Sequence, residues 1–279
     1  MSTDMTNGNT DKWNMAATDS SAIRYSRTNA PQHAMGNSLS DKMEIKEGQH
    51  VLVAACGPGN DVFAIASIVG SSGKVVGFDL DNYSIEEARK TLEEKHANLK
   101  PYVELHTCDA HDLSIFKSQS FDAIHCNASY HWFADQPRFL AQAANIAKPG
   151  ACIGIATQDG DFVPSQMDIR IEVLTEMGEE CGKLCWHPNP GELRRDLDGA
   201  GWRNVQLSQW YATYALADGE TMWNWLNDSS GNAYGNYLPD GKRERMKEMT
   251  LERYQETSLP DGRPVMQLKH LFALAYNRT

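Results

Sequence analysis

V-L-V-A-A-C-G-P-G-N-D, residues 51–61, is the stretch on which the reading of this chain turns. An apolar, strand-like run breaks into a turn carrying Gly57 and Gly59. Without a Cβ these residues let the backbone bend sharply and lie against a ligand, while Pro58 between them fixes φ and stiffens the turn. The next apolar run, K-V-V-G-F-D-L-D (74–81), delivers Asp79 just after its last apolar residue. In doubly wound sheets an acid about 20 residues beyond the glycines stands at the tip of the second strand and accepts hydrogen bonds from ribose hydroxyls. Gly57 and Asp79 keep that spacing, which predicts a nucleoside-binding crevice.

On either side of this unit, strands and helices alternate. Strand-like runs cover 51–55, 74–78, 102–107, 121–127 and 151–157. Helical patterns lie near 60–69, near 84–97, where Ser84 and Glu87 read as a capping box, and near 135–147, closed by Pro149 and Gly150. Such alternation predicts an α/β, doubly wound, mostly parallel sheet covered on both faces, with ligands bound beyond the carboxyl ends of the strands. After Thr157 the rhythm changes. A helix over 165–182, with Met167, Ile171, Leu174 and Met177 on one face, precedes the turn W-H-P-N-P at 186–190. A helix over 190–202 ending at Gly199 or Gly201, a strand over 204–214, helices near 218–228 and 240–257, and a strand over 265–276 complete the chain. The last two strands are expected to pair antiparallel at one side of the sheet, with the intervening helices as a lid.

Composition narrows the partners. With 279 residues, 41% apolar content and a mean hydropathy of −0.53, the chain reads as a soluble globular protein. No segment approaches the ~18 uninterrupted apolar residues of a membrane helix. The polar residues 1–12 do not form a secretory signal, so a cytoplasmic location is expected. A net charge of −11 without a Lys/Arg cluster argues against a nucleic-acid partner. Cys56, Cys108, Cys126 and Cys152 fall in or beside strand-like runs and read as buried thiols of a reducing compartment. Cys181 and Cys185 share a helical spacing but lack further ligands, so no metal is expected.

The motif A-C-G-P-G-N-D lacks the third glycine of a dinucleotide fingerprint. It resembles the first motif of class I S-adenosylmethionine-dependent methyltransferases, which usually reads V-L-D-x-G-C-G-x-G. Val53 stands where that family normally has an acid that helps hold the cofactor's ammonium, and Ala55 where it normally has its first glycine. The resemblance covers roughly residues 48 to 160 well and the C-terminal strands loosely. N-A-S-Y-H-W-F (127–133) and D-G-R-P-V-M-Q-L-K-H-L-F-A-L-A (261–275) look most like small-molecule enzymes of the trans-aconitate and malonyl-carrier-protein carboxyl methyltransferase type. The resemblance implies a seven-stranded sheet with its last strand antiparallel, an arm over 1–44 covering the cofactor, a methyltransferase domain over 45–279, and cap segments at 158–189 and 216–262.

It also implies a set of site residues. Gly57 and Gly59 would bring backbone close to the cofactor's amino-acid moiety, and Asp79 would take the ribose hydroxyls, with Asp81 the weaker rival. Leu80 would pack on the adenine, and Asp109 in T-C-D-A-H-D-L, with the backbone of Ala110, would meet its ring and amino group. His111 and Asp112 read as solvent residues. Asn127 ends the fourth strand in the crevice. Tyr130 and Trp132 would line the acceptor site, where His131 is the candidate general base, an ordinary pKa near 6.5 suiting that task. Trp13, Arg24 and Tyr25 would close over the site from the N-terminal arm. Trp223, Trp225, Tyr234 and Tyr237 read first as core and second as an apolar pocket. The expected activity is methyl transfer from S-adenosyl-L-methionine to a small organic molecule, at a carboxylate or phenol oxygen. The departures at Val53 and Ala55 keep two alternatives open, a fold reused for cyclisation or a pericyclic step and a non-catalytic partner subunit. Oligomeric state is not legible in the sequence.

Overall fold

The computed structural model describes residues 30–181, 186–229 and 234–278. Trp13, Arg24, Tyr25 and Cys185 lie outside the described residues. The chain divides into a larger unit, comprising described residues in 30–162, 186–212 and 268–278, and a smaller one, comprising those in 163–181, 213–229 and 234–267.

The larger unit opens with α1 (Ala30–Lys42) and then alternates β1 (His50–Ala54), α2 (Asn60–Val69), β2 (Lys74–Asp79), α3 (Asn82–Lys95), β3 (Val103–Thr107), β4 (Phe121–Asn127), α4 (Gln136–Ile146) and β5 (Ala147–Gln158). It adds α6 (Pro190–Gly199) and most of β6 (Arg203–Ala215) and β7 (Val265–Tyr276). The strands form a seven-stranded sheet in the order β3-β2-β1-β4-β5-β7-β6. β1 pairs parallel with β2 and β4, β2 with β3, and β4 with β5, whereas β7 runs antiparallel to β5. This is the doubly wound, mostly parallel sheet that the alternation predicted, with the seven strands and antiparallel last strand that the family resemblance implied.

Both faces of the central strands are covered, which explains their nearly unbroken apolar sequences. Val51, Val53 and Val75 pack with Val62 and Ile65 of α2 and Ile85 of α3 on one face. Leu52, Phe78 and Ile124 pack with Phe139 of α4, Leu193 of α6 and Trp202 on the other. Each fully buried Leu or Ile of this kind contributes about 1.5–3 kcal/mol. The indole of Trp202 donates to Leu140 O at 3.1 Å, so its polar atom is satisfied inside the core. Cys56, Cys108, Cys126 and Cys152 are buried thiols, and burial pushes Cys126 and Cys152 up to about 12.

The smaller unit contains α5 (Ser165–Glu176), α7 (Gly219–Ser229) and α8 (Asp240–Glu256). Val173, Leu174, Trp223, Leu238 and Met246 form its apolar cluster. Met167 and Leu174 face inward as expected, but the buried stripe of α5 also carries Gln166 and Arg170.

Three local expectations change. The cap of α3 is Asp81, whose carboxylate accepts from the backbone N–H groups of Tyr83 and Ser84, rather than a box begun at Ser84. That contact starts the helix at Asn82 and occupies Asp81 away from the ribose role. Pro149 and Gly150 lie within β5 rather than before it, because Ala147 already pairs with Phe121 ahead of a register shift. α5 ends at Glu176, where Gly178 takes φ 70 and the chain leaves helical geometry.

Candidate active site

β1, β2, β3 and β4 all end on the same side of the sheet, which gathers the residues that follow them. Leaving β1, Ala55 takes φ 46 and Gly57 φ 52, both left-handed, and Gly59 follows at φ 91 as the cap of α2. Ala55 therefore keeps the backbone geometry that a glycine would adopt freely, at a modest strain. A Cβ on Gly57 would meet nothing within 4 Å, whereas one on Gly59 would strike the Phe63 ring at 2.8 Å. Gly57 thus faces open space and Gly59 is required by packing.

The turn is tied to β2 by Asp79. Its Oδ2 accepts from the Gly57 N–H at 2.8 Å and its Oδ1 from the Asp81 N–H at 2.9 Å. Burial raises its pKa, and these backbone donors oppose the rise. A carboxylate offers about four lone-pair positions, so two remain for further donors. Leu80, immediately beyond, is 69% exposed, an apolar surface presented beside the carboxylate.

After β3, the Asp109 carboxylate accepts from the backbone N–H of His111 at 2.9 Å and from its Nδ1 at 2.7 Å. The backbone N–H of His111, ahead of its ring, holds Asp109 below the usual carboxylate range. His111 is not the solvent residue its position suggested. Its Nε2 accepts from the Asp135 N–H and its carbonyl from Arg138 Nε, so it bridges the β3 turn to the start of α4. Ala110 is buried in the core cluster.

Asn127, at the end of β4, donates through Nδ2 to Gln32 O and to Asp61 Oδ2, each at 2.9 Å. Its buried Oδ1 has no hydrogen-bond partner. Below it, the buried His125 has Nδ1 3.9 Å from Asp61 Oδ2, with Nε2 at 3.2 Å from Gly36 O and 3.3 Å from Ser40 Oγ. Burial lowers the His125 pKa. Gly36 approaches so closely that a Cβ there would lie 2.3 Å from Asp61 Oδ1. Asp61 and His125 were missed in the sequence. Asp61 ends the quoted motif and reads as an ordinary first-turn helix acid, and His125 is hidden in an apolar strand. Val53, where the family has its acid, is buried among aliphatic side chains.

Tyr130 is fully buried, edge-on to Phe133 and Phe139, and its hydroxyl donates to Asp196 Oδ2 at 3.2 Å. The structure places it in the core. His131 and Trp132 are half-buried with ring centroids 5.0 Å apart. His131 Nδ1 lies 3.3 Å from the Thr157 hydroxyl, which is in turn 3.4 Å from Nδ1 of His187. Burial first, and His187 second, push the His131 pKa well below its ordinary value. His187 belongs to W-H-P-N-P, which reads in sequence only as a proline-rich turn.

A hollow of about 550 Å³ lined by His50, Lys74 and Tyr102 lies at the amino ends of β1 and β2. That is the wrong end of an open α/β sheet for its ligand. Among the described residues no group of three metal-ligating side chains occurs, and no helix is long and apolar enough to cross a membrane.

Residues 45–211 match the model of a family described as a methyltransferase domain. The chain belongs to this family of enzymes. Particular relatives then stand out. The chain is 28% identical to the aklanonic acid methyltransferase DauC of Streptomyces sp. (strain C5) over 207 residues, 69% of this chain and 92% of that one. It is 30% identical to a demethylmenaquinone methyltransferase of Lactobacillus johnsonii over 124 residues, 44% of this chain but 50% of that one. An uncharacterized protein of transposon TN4556 from Streptomyces fradiae is 31% identical, with only 34% of its length matched. Among solved structures, a putative methyltransferase of Bacillus halodurans aligns with TM-score 0.60 at 21% identity, over 88% of this chain and 99% of its own. The [4+2]-cyclase SpnF aligns with TM-score 0.57 at 13% identity, over 88% of this chain and 82% of its own. These structural likenesses concern the fold.

The cofactor of this family is S-adenosyl-L-methionine, and the residues present fit it. Gly57 leaves room for it, Asp79 keeps lone pairs for hydroxyl donors, and the partnerless Asn127 Oδ1 is a buried acceptor lacking a donor.

Proposed function

We propose that the chain transfers the methyl group of S-adenosyl-L-methionine to an oxygen of a small organic molecule. The observation that carries this reading is the pairing of an open Gly57 with a half-buried Asp79 carboxylate across the β1 and β2 ends. In this reading Asp79 holds the ribose, Leu80 covers one adenine face, and Asp109 with Ala110 meets the adenine edge. Gly57 and Gly59 admit the amino-acid moiety. Asp61 and Asn127 Oδ1 take the ammonium, so Asp61 supplies from α2 the negative charge that Val53 does not supply from β1. Bound there, the sulfonium supplies an electrophilic methyl and a neutral thioether leaving group. The protein's task is then to align the acceptor, exclude water and take up a proton. His131 is the group placed to take it. Trp132 walls the acceptor, Tyr130 braces this segment from the core, and Tyr25 is retained as a substrate contact from the arm. Acceptor choice is assigned to the segments 158–189 and 216–262. Relatives named for aklanonic acid and for demethylmenaquinone support a small-molecule acceptor.

Calorimetry with S-adenosylhomocysteine tests the reading. Asp79→Ala should weaken binding by about a hundredfold to ten-thousandfold, as expected from losing two hydrogen bonds to a charged group at roughly 1.5–3 kcal/mol each. Unchanged affinity would sink the assignment. A non-methylating use of the fold is distinguished by product mass, since it converts the acceptor without adding a methyl group.

A further inference from the structure

The arrangement of His131, Thr157 and His187 carries more than a single base. All three lie in the larger unit, at the carboxyl ends of β4 and β5 and in the turn before α6. The two imidazoles have ring centroids 4.3 Å apart, and both Nδ1 atoms address the one Thr157 hydroxyl. That hydroxyl is buried, and no other acceptor for its hydrogen occurs among the described residues. It can donate to one Nδ1 only, so the fully satisfied arrangement has it accept from the other. The rings must then hold opposite tautomers. One carries its proton on Nδ1 and presents a bare Nε2; the other presents Nε2–H. Neither Nε2 has a protein partner among the described residues.

His187 is held in place from behind. The Gly160 N–H donates to Pro188 O at 3.1 Å, fixing the turn to the end of β5. Next to Gly160, the buried Asp159 is gripped by Gln209 Nε2 at 2.6 Å and Lys269 Nζ at 2.9 Å, which ties β5 to β6 and β7. Burial lowers both imidazole pKa values, His187 to about 4, the neighbouring His187 adds to the lowering of His131, and no carboxylate contributes to either shift. The pair is therefore neutral and offers an anion no counter-charge.

We infer that His187, Thr157 and His131 together form the acceptor-binding site, and that it takes a neutral hydroxy-carbonyl compound, a phenol or enol beside a carbonyl, rather than a carboxylate. This rests on the proposed methyl transfer and narrows its acceptor. The acceptor's O–H donates to the bare Nε2 while its carbonyl accepts from the other ring's Nε2–H. On activation the O–H bond breaks with its electron pair kept by oxygen, and the proton forms an N–H bond at the bare Nε2. The displaced Nδ1 proton can pass through the Thr157 hydroxyl to the second ring, which spreads the positive charge.

The test uses the full chain with S-adenosylhomocysteine, whose affinity is measured first by calorimetry. Failure of that binding would overturn the proposed function, while the ring tautomers, read on the free chain, still decide this inference. Long-range proton–nitrogen correlation spectra at about pH 7.5, where an ordinary histidine is neutral, should show one ring as the Nδ1–H and the other as the Nε2–H tautomer, assigned through His131→Gln and His187→Gln. Thr157→Val keeps the side chain's shape and should bring both rings to the same tautomer. With ortho-hydroxyacetophenone as probe, Thr157→Val and His187→Gln should each lose about tenfold in affinity, with S-adenosylhomocysteine binding unchanged. Benzoate should bind no variant. The same tautomer on both rings of the wild-type chain, benzoate binding as tightly as the hydroxy ketone, or unaltered probe affinity in both variants would overturn the inference.

Discussion

The two units set their buried polar groups in different surroundings. In the larger unit the buried polar side chains collect where strands end, and Asn127 Oδ1 is left open there beside a turn with free space. In the smaller unit a guanidinium sits in the middle of the core. Arg170 is fully buried, its charge 3.8 Å above the Trp223 ring, and it donates to Asn227 Oδ1 at 2.7 Å, Trp223 O at 3.3 Å and Tyr234 O at 3.5 Å. Burial lowers its pKa to about 10. These partners are all neutral. Unfilled valence occurs in both units, at Asn127 Oδ1 in the larger and at Arg170 Nε and the Gln166 amide in the smaller, so it marks a place for a ligand only where open space adjoins it, as beside Gly57.

The sharpest way to break this comparison is Arg170→Ala. It strands the neutral acceptors of the smaller unit and leaves a cavity, and should cost about 2–5 kcal/mol in denaturant unfolding. Arg170→Met, which fills the space without the charge, should recover most of that loss. Equal losses would show that the guanidinium's hydrogen bonds, and not the space it fills, hold these helices together. Gly36→Ala probes the other unit. The added Cβ, 2.3 Å from Asp61 Oδ1, should displace α1 or Asp61 at a cost of about 1–3 kcal/mol and weaken S-adenosylhomocysteine binding. A variant of full affinity would remove Asp61 from the site.

A third probe is pH, and its sign can be worked out. His187 and His270 are both lowered by burial to about 4, and His131 and His125 are lowered also. In the unfolded chain a histidine binds a proton below about 6.5. Between that value and about 4 the unfolded state therefore holds more protons, so stability is full above the upper value and falls as pH drops through the window. Asp79, raised by burial, works the other way at lower pH: the folded state holds the extra proton, so its contribution declines as pH rises past the ordinary carboxylate value. All four histidines belong to the larger unit, so fluorescence-monitored melting between about pH 7 and 5 should report loss there. A melting temperature that did not fall over that range would show these rings protonating freely.

Much of this molecule was legible because its signals are local. Hydrophobic period and turn chemistry placed the strands and helices of the sheet, and the spacing of Gly57 and Asp79 brought the two together at the strand ends, since a strand–helix–strand unit has a nearly fixed length. The antiparallel last strand came with the family resemblance and is present as β7. The boundaries that moved did so for tertiary reasons. Ala147 joined β5 because Phe121 was there to pair with it, and Asp81 became a cap because β2 ends beside it.

Sequence by itself determined the doubly wound fold and the meeting of Gly57 with Asp79 at the strand ends, because each depends on residues close along the chain. Tertiary structure alone decided the polar partnerships: Asp61 with Asn127, His187 with His131 across Thr157, and Arg170 among the carbonyls of another helix and turn. Those contacts join positions from 26 to 66 residues apart. No propensity or period reports which distant side chains will share a desolvated space, and a hydrogen bond exists only once folding has put donor and acceptor within reach of each other.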